Sequence, residues 1–119
     1  MDFSGKTVIV TGAGGGIGTA IVKKFTDLGA KAALIDVKEE YARKTAEKLG
    51  LSDENAFCLG ADISDEKEVK DAVIRIKEHY GRVDVLVNTA GNPGPSARTE
   101  DYSFEDVKAV YSVNVFGTF

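Results

Sequence analysis

A single cysteine, Cys58, excludes an internal disulfide, and its place in an apolar run predicts a small core residue rather than a nucleophile. Basic residues are not in excess: 15 Lys and Arg against 19 Asp and Glu give a net charge of -4. No cationic face is left over for nucleic acid or for an anionic membrane. Long apolar runs are missing too. The longest uncharged stretch, Thr7 to Val22, is broken by five glycines and falls short of the about 20 apolar residues that a membrane span needs. Met1 to Lys6 lacks the basic start and apolar core of a secretory signal, so the expected location is cytoplasmic. There is no internal repeat, low-complexity segment or linker. With 43% hydrophobic and 29% charged residues, the 119-residue chain reads as one α/β domain.

What the chain does carry is a strand, a glycine-rich turn and a helix in direct succession. Thr7 to Val10 is a short β-branched run of the kind buried on both faces of a sheet. Ile17, Ala20, Ile21, Phe25 and Leu28 then recur at helical spacing, and Gly29 is the stop signal. Between them lies Thr11-Gly12-Ala13-Gly14-Gly15-Gly16-Ile17-Gly18. Such a turn presents bare N–H groups at the positive end of a helix dipole, a site that a phosphate fits. The alternative is a strand-to-helix turn with no ligand.

The alternation continues along the chain. Lys31 to Asp36 reads as a second strand ending in a carboxylate, and Glu39 to Leu49 as a second helix with Ala42, Ala46 and Leu49 inward. Ala56 to Leu59 reads as a third strand, followed by Asp62-Ile63. A third helix is expected to be capped by Ser64, with Val69, Ala72, Val73, Ile76 and Tyr80 on its apolar stripe. His79 lies beside its polar side and is not expected to act. Val83 to Asn88 is the fourth strand, Asn92 to Asp101 a loop, and Ser103 the cap of a fourth helix expected to run to the end of the sequence. Repeated βα units imply right-handed crossovers and a parallel sheet with helices on both faces. In such sheets the ligand lies across the carboxyl ends of the strands, where Gly12 to Gly18, Asp36, Asp62 and Asn88 to Gly91 should converge.

Asp36 lies 18 residues beyond Gly18, near the spacing of about 20 for a carboxylate that takes the hydroxyls of an adenosine ribose. That favours NAD over NADP, because a 2′-phosphate would meet the carboxylate as a like charge. The other reading of Asp36 is an N-cap for the second helix. Val107, Val110 and Val113 mark a buried side of the fourth helix, which predicts an inward amide at Asn114. Two roles stay open for it: the one that the family resemblance described below implies, or a core asparagine bridging two backbone segments.

Thr11, Gly12, Gly16 and Gly18 resemble the T-G-x-x-x-G-x-G of the short-chain dehydrogenase/reductase family. Gly12, Gly15 and Gly18 also fit the T-G-x-x-G-x-x-G of its extended members. Asp62-Ile63 resembles the family's adenine-contacting pair, and Asn88-Thr89-Ala90-Gly91 its Asn-Asn-Ala-Gly, from which Thr89 departs. This segment and Val113 to Phe119 favour the ordinary short branch. The resemblance covers nearly the whole chain. It implies a Rossmann-type doubly wound parallel sheet of four βα units with strand order 3-2-1-4. Residues 1–119 would then be the NAD-binding half-domain of a longer single-domain dehydrogenase, cut within the fourth helix. Gly12, Gly14, Gly15, Gly16, Ile17 and Gly18 would meet the pyrophosphate. Asp36, Val37, Asp62 and Ile63 would meet the adenosine, and Asn88, Ala90 and Gly91 the nicotinamide side. In the family the asparagine matching Asn114 helps hold a relay water.

Family members act with a serine and a Tyr-x-x-x-Lys pair. Here Tyr41, Tyr80, Tyr102 and Tyr111 are followed four residues later by Thr45, Asp84, Asp106 and Val115. The resemblance therefore implies NAD-dependent interconversion of an alcohol and a ketone or aldehyde, in a homo-oligomer (dimer or tetramer), with this chain inactive alone. The fourth strand would lack a partner on one side, so the chain alone is expected to self-associate. A P-loop is excluded, since Gly5-Lys6-Thr7 precedes the first strand instead of following it. A methyltransferase accounts for the glycine turn and Asp36 but not for Asn88 to Gly91 or Asn114. A module that senses NAD without turnover is the remaining alternative.

Overall fold

The computed structural model describes residues 1–119. β1 (Thr7–Thr11), β2 (Lys31–Asp36), β3 (Ala56–Gly60) and β4 (Val85–Asn88) form one parallel sheet in the order β3-β2-β1-β4. The helices are α1 (Gly16–Asp27), α2 (Glu39–Lys48), α3 (Glu66–Tyr80) and α4 (Phe104–Tyr111). A single 3-10 turn, Thr99–Asp101, precedes α4.

Every residue of β1 is buried, as its unbroken β-branched sequence requires. Successive side chains of the strands feed opposite layers. Val8, Val10, Ala32 and Leu34 pack under α1 and α2 with Val22, Ala42 and Ala46. Ile9, Ala33, Ile35 and Leu59 pack under α3 with Ala72 and Ile76. The sheet is thus covered on both faces at β1 and β2, and its covering thins toward β4, where Leu86 is 57% exposed. An open apolar trough of about 310 Å³ runs there between α3 and β4, past Ile9, Val73, Val83 and Leu86 to Phe119.

Several boundaries differ from the sequence reading. Asp65, not Ser64, caps α3: its carboxylate accepts from the N–H groups of Lys67 and Glu68. Ser64 instead donates its own N–H and hydroxyl to Asp62 Oδ1. Strand β4 begins at Val85 rather than Val83: Asp84 donates its backbone N–H to Thr7 O at 2.9 Å, but the return bond from Thr7 N goes to the Asp84 side chain instead of a backbone carbonyl. Asp84 Oδ2 accepts from Thr7 N at 2.8 Å while Arg82 holds both carboxylate oxygens. That pairing keeps the Asp84 carboxyl below its ordinary range, through the Arg82 hydrogen bond first and the Thr7 N–H second. Ser103 caps α4 as expected, accepting from Asp106 N. The fourth helix does not run to the end as an α-helix. It widens into a π-helical turn at Ser112–Phe116, closed by Gly117 N donating to Ser112 O at 2.8 Å.

Cys58 sits half-buried in β3 against the first layer, and burial pushes its thiol up, as befits a packing residue. His79 stacks on Phe57 with ring centroids 4.1 Å apart. Burial pushes the neighbouring Tyr80 hydroxyl up to about 12.

Candidate functional site

Register alone brings the strand ends to one rim, with Thr11 opposite Ile35 and Asn88, and Asp36 opposite Gly60. The glycine turn rises from the middle of this rim. Gly12 has φ +66°, and a Cβ on it would lie 2.7 Å from Ala90 N, so the first glycine is where the β1 and β4 ends close on each other. Thr89 and Ala90 complete that closure: the Thr89 hydroxyl donates to Thr11 O, and Ala90 N donates to Thr11 Oγ1 at 3.3 Å. At Gly18 a Cβ would sit 2.2 Å from Gly12 O, a collision that glycine removes where α1 leaves the sheet.

Three amides of the turn are already spent. Ala13 N donates to Ile35 O, Gly15 N to Gly12 O, and Gly14 N to Asp36 Oδ2. The next three, of Gly16, Ile17 and Gly18, donate to nothing in the chain. They are the unsatisfied N–H groups of a helix start, with Gly15 as an N-cap that has no capping side chain. Gly16 and Ile17 are exposed, and a Cβ on Gly16 would meet no atom within 4 Å. This open, donor-bearing backbone suits an anion.

Asp36 closes the other side. Its Oδ1 accepts from Val37 N at 2.7 Å and its Oδ2 from Gly14 N at 2.9 Å. A carboxylate offers about four acceptor positions, so two stay open. No cation pairs with it, and the nearby Lys38 ammonium lies over the Tyr41 ring, 5.8 Å from its centroid. The N-cap reading of Asp36 is corrected here. Helix α2 is capped at Lys38, without a side-chain bond.

Asp62 and Ile63 follow β3 on the same rim, tied to Asp36 through Ala61 N, which donates to Asp36 O at 2.8 Å. Both are half-buried. One Asp62 oxygen is committed to Ser64, and Ile63 packs on Gly117, whose Cβ would come 2.8 Å from Ile63 Cγ1. Asn88 is exposed at the end of β4.

Asn114 is the clearest departure from expectation. It is exposed rather than inward, and α4 has no fully buried residue at all. Its amide instead clasps the loop after β4: Nδ2 donates to Asn92 O at 2.8 Å and Oδ1 accepts from Asn92 N at 2.7 Å. The inward expectation fails at Asn114 itself: Val113 stays half-buried like Val107 and Val110, while the π-helical turn at 112–116 changes the angle between successive side chains and Asn114 faces the loop after β4. The second open role, bridging backbone, matches in kind, but with one segment and in the open. Gly91 lies beside this clasp, its Cβ position 3.5 Å from Asn114 Oδ1.

Two residues were missed in the sequence. Thr45 donates to Ala13 O at 2.9 Å, and Thr19 lies 3.3 Å from both that oxygen and the Thr45 hydroxyl. The signal was there, a hydroxyl on the inward row Ala42, Thr45, Ala46 of α2.

The chain is similar to known proteins along its whole length. The family model for short chain dehydrogenase matches residues 6–119. Zerumbone synthase of Zingiber zerumbet is 36% identical over all of this chain and 45% of its own length. Among solved structures, the 3-ketoacyl-(acyl-carrier-protein) reductase of Brucella melitensis, complexed with NADH, superposes with a TM-score of 0.90 at 34% identity, over 98% of this chain and 47% of that one. An NAD+-bound xylitol dehydrogenase gives 0.89 at 33% identity, over 100% of this chain and 46% of that one. The chain spans about half the length of the curated relatives it matches. A 3-2-1-4 parallel sheet, a glycine turn with free helix-start amides and a carboxylate at the end of the second strand agree with that match, and the chain belongs to the short chain dehydrogenase family.

Proposed function

We propose that residues 1–119 are the cofactor-binding half of an NAD-dependent oxidoreductase that interconverts an alcohol and a ketone or aldehyde. The observation that carries this is the pair of free groups on one rim: the unspent amides of Gly16, Ile17 and Gly18, and the cation-free carboxylate of Asp36. A dinucleotide carries the complementary groups, an anionic pyrophosphate and a neutral vicinal diol. The NADH and NAD+ complexes of the two structural relatives support the reading. When bound, NAD supplies the hydride acceptor and NADH the donor.

This chain's own residues bind and orient. The free amides and the dipole of α1 hold the pyrophosphate. The open acceptor positions of Asp36 take the ribose hydroxyls, Val37 flanks them, and Asp62 offers its uncommitted oxygen to the adenine amine with Ile63 against the ring. Asn88, Ala90 and Gly91 carry the nicotinamide side, and Asn114 holds the loop beside them. The proton on the substrate oxygen is handled by a serine and a Tyr-x-x-x-Lys pair outside residues 1–119. The whole protein acts on a small alcohol or carbonyl compound as a homo-oligomer, as the family resemblance implies.

Gly16→Val tests the phosphate site with little risk to the fold, since no atom lies within 4 Å of the added Cβ. NADH affinity measured by calorimetry should fall by about tenfold or more while the circular dichroism spectrum stays unchanged, the loss set by blocked hydrogen bonds to a charged group. Unchanged affinity would move the pyrophosphate elsewhere.

A further inference from the structure

Thr45 is 4% exposed, in a helix whose other buried residues are alanines. A threonine inside a helix commonly returns its proton to the carbonyl one turn back. Thr26 does so, donating to Val22 O. Thr45 does not. Its hydroxyl crosses from α2 to the glycine turn and donates to Ala13 O, 32 residues away in sequence. Ala13 is itself fully buried, so this carbonyl needs a partner. The only other group near it is the Thr19 hydroxyl, at 3.3 Å and already 2.7 Å from Gly15 O.

The N–H of the same peptide unit is that of Gly14, which donates to Asp36 Oδ2 at 2.9 Å. One rigid plane is therefore pinned at both ends, its C=O by Thr45 and its N–H by Asp36. We propose that Thr45 is a positioning residue for cofactor recognition: it holds the Ala13–Gly14 peptide so that Gly14 N–H keeps the Asp36 carboxylate turned to receive the adenosine ribose. This rests on the ribose role of Asp36 given above. Without the Thr45 hydroxyl the carbonyl is left with one long contact, and the peptide gains by turning toward another donor. Its N–H then leaves Asp36, whose Oδ2 loses its anchor while Oδ1 stays on Val37.

The test uses Thr45→Val, which keeps the shape and loses the proton, Thr45→Ser, which keeps the proton, and Thr45→Ala as the smaller variant in case the first does not fold. Each is titrated with NADH and with its 2′-deoxy analogue, alongside a thermal melt. Thr45→Val, or Thr45→Ala in its place, should weaken NADH by roughly threefold to tenfold, the range for one lost hydrogen bond. Either should also shrink the preference for NADH over the 2′-deoxy analogue, and Thr45→Ser should restore both. The Gly14 amide should exchange faster with solvent in the variants without the hydroxyl. A lower melting temperature with NADH affinity and the 2′-hydroxyl preference intact would overturn the positioning role alone. An unmutated protein that binds NADH and the 2′-deoxy analogue equally would overturn the ribose role of Asp36 and, with it, this one.

Discussion

Two residues named for the site differ in what the fold lets them do. Asp36 stands where β2 ends and holds two backbone N–H groups, which fix the carboxylate and leave its outer lone pairs open. Asn114 reads from its spacing as inward and is found outside, spending its amide on Asn92. The difference is physical. Asp36 is the last residue of a strand whose register is set by Val10↔Leu34 and Leu34↔Cys58 pairing, so its place is inherited from the sheet. Asn114 follows a helix that loosens into a π turn, where a 3.6-residue stripe no longer says which way a side chain points. Asn114→Ala should leave overall stability nearly unchanged, because the residue is exposed. Hydrogen exchange at the Asn92 amide should speed up several-fold, equivalent to about 1 kcal/mol for the lost hydrogen bond. Unaltered exchange there would mean the clasp does not hold the loop.

At the scale of elements, β1, β2 and β3 were legible because they are short apolar runs bounded by glycine or acidic residues, and β2 matches its expected bounds of Lys31–Asp36. The caps and the last elements were less so. In Ser64-Asp65-Glu66 two residues can cap, and choosing needs the geometry: Asp65 has the extended backbone of an N-cap, at φ -101° and ψ 110°, and its carboxylate accepts from the N–H groups of Lys67 and Glu68, whereas the Ser64 hydroxyl is spent on Asp62. Asp65→Ala should therefore cost about 1 kcal/mol in denaturant unfolding, and Ser64→Ala much less. The reverse order would reinstate Ser64 as the cap. At β4 the apolar run Val83 to Val87 contains Asp84, which bonds to Thr7 with its backbone N–H on one side and with its side chain, not a carbonyl, on the other. Nor does periodicity disclose a tie such as Thr45 to Ala13, since a buried threonine and a buried alanine look alike in a pattern of apolar positions.

For the molecule as a whole, one geometric fact organises the rest: all four strands run the same way, so every chain turn at their carboxyl ends faces one rim. Glycine turn, carboxylate and the Asn88 to Gly91 segment are assembled there by topology before any ligand is considered. The side of the sheet carrying β4 is the least covered, with Val73, Val83, Leu86 and Phe116 all exposed. The rim is proposed to take a dinucleotide whose adenosine ribose is unphosphorylated. Calorimetric titration of the protein and of Asp36→Ala with NADH and NADPH tests it most directly. NADH should bind more tightly than NADPH by at least about tenfold, within the several kcal/mol that facing like charges can cost, and Asp36→Ala should narrow or reverse that preference. Equal affinities in the unmutated protein, or a preference that survives Asp36→Ala, would contradict it.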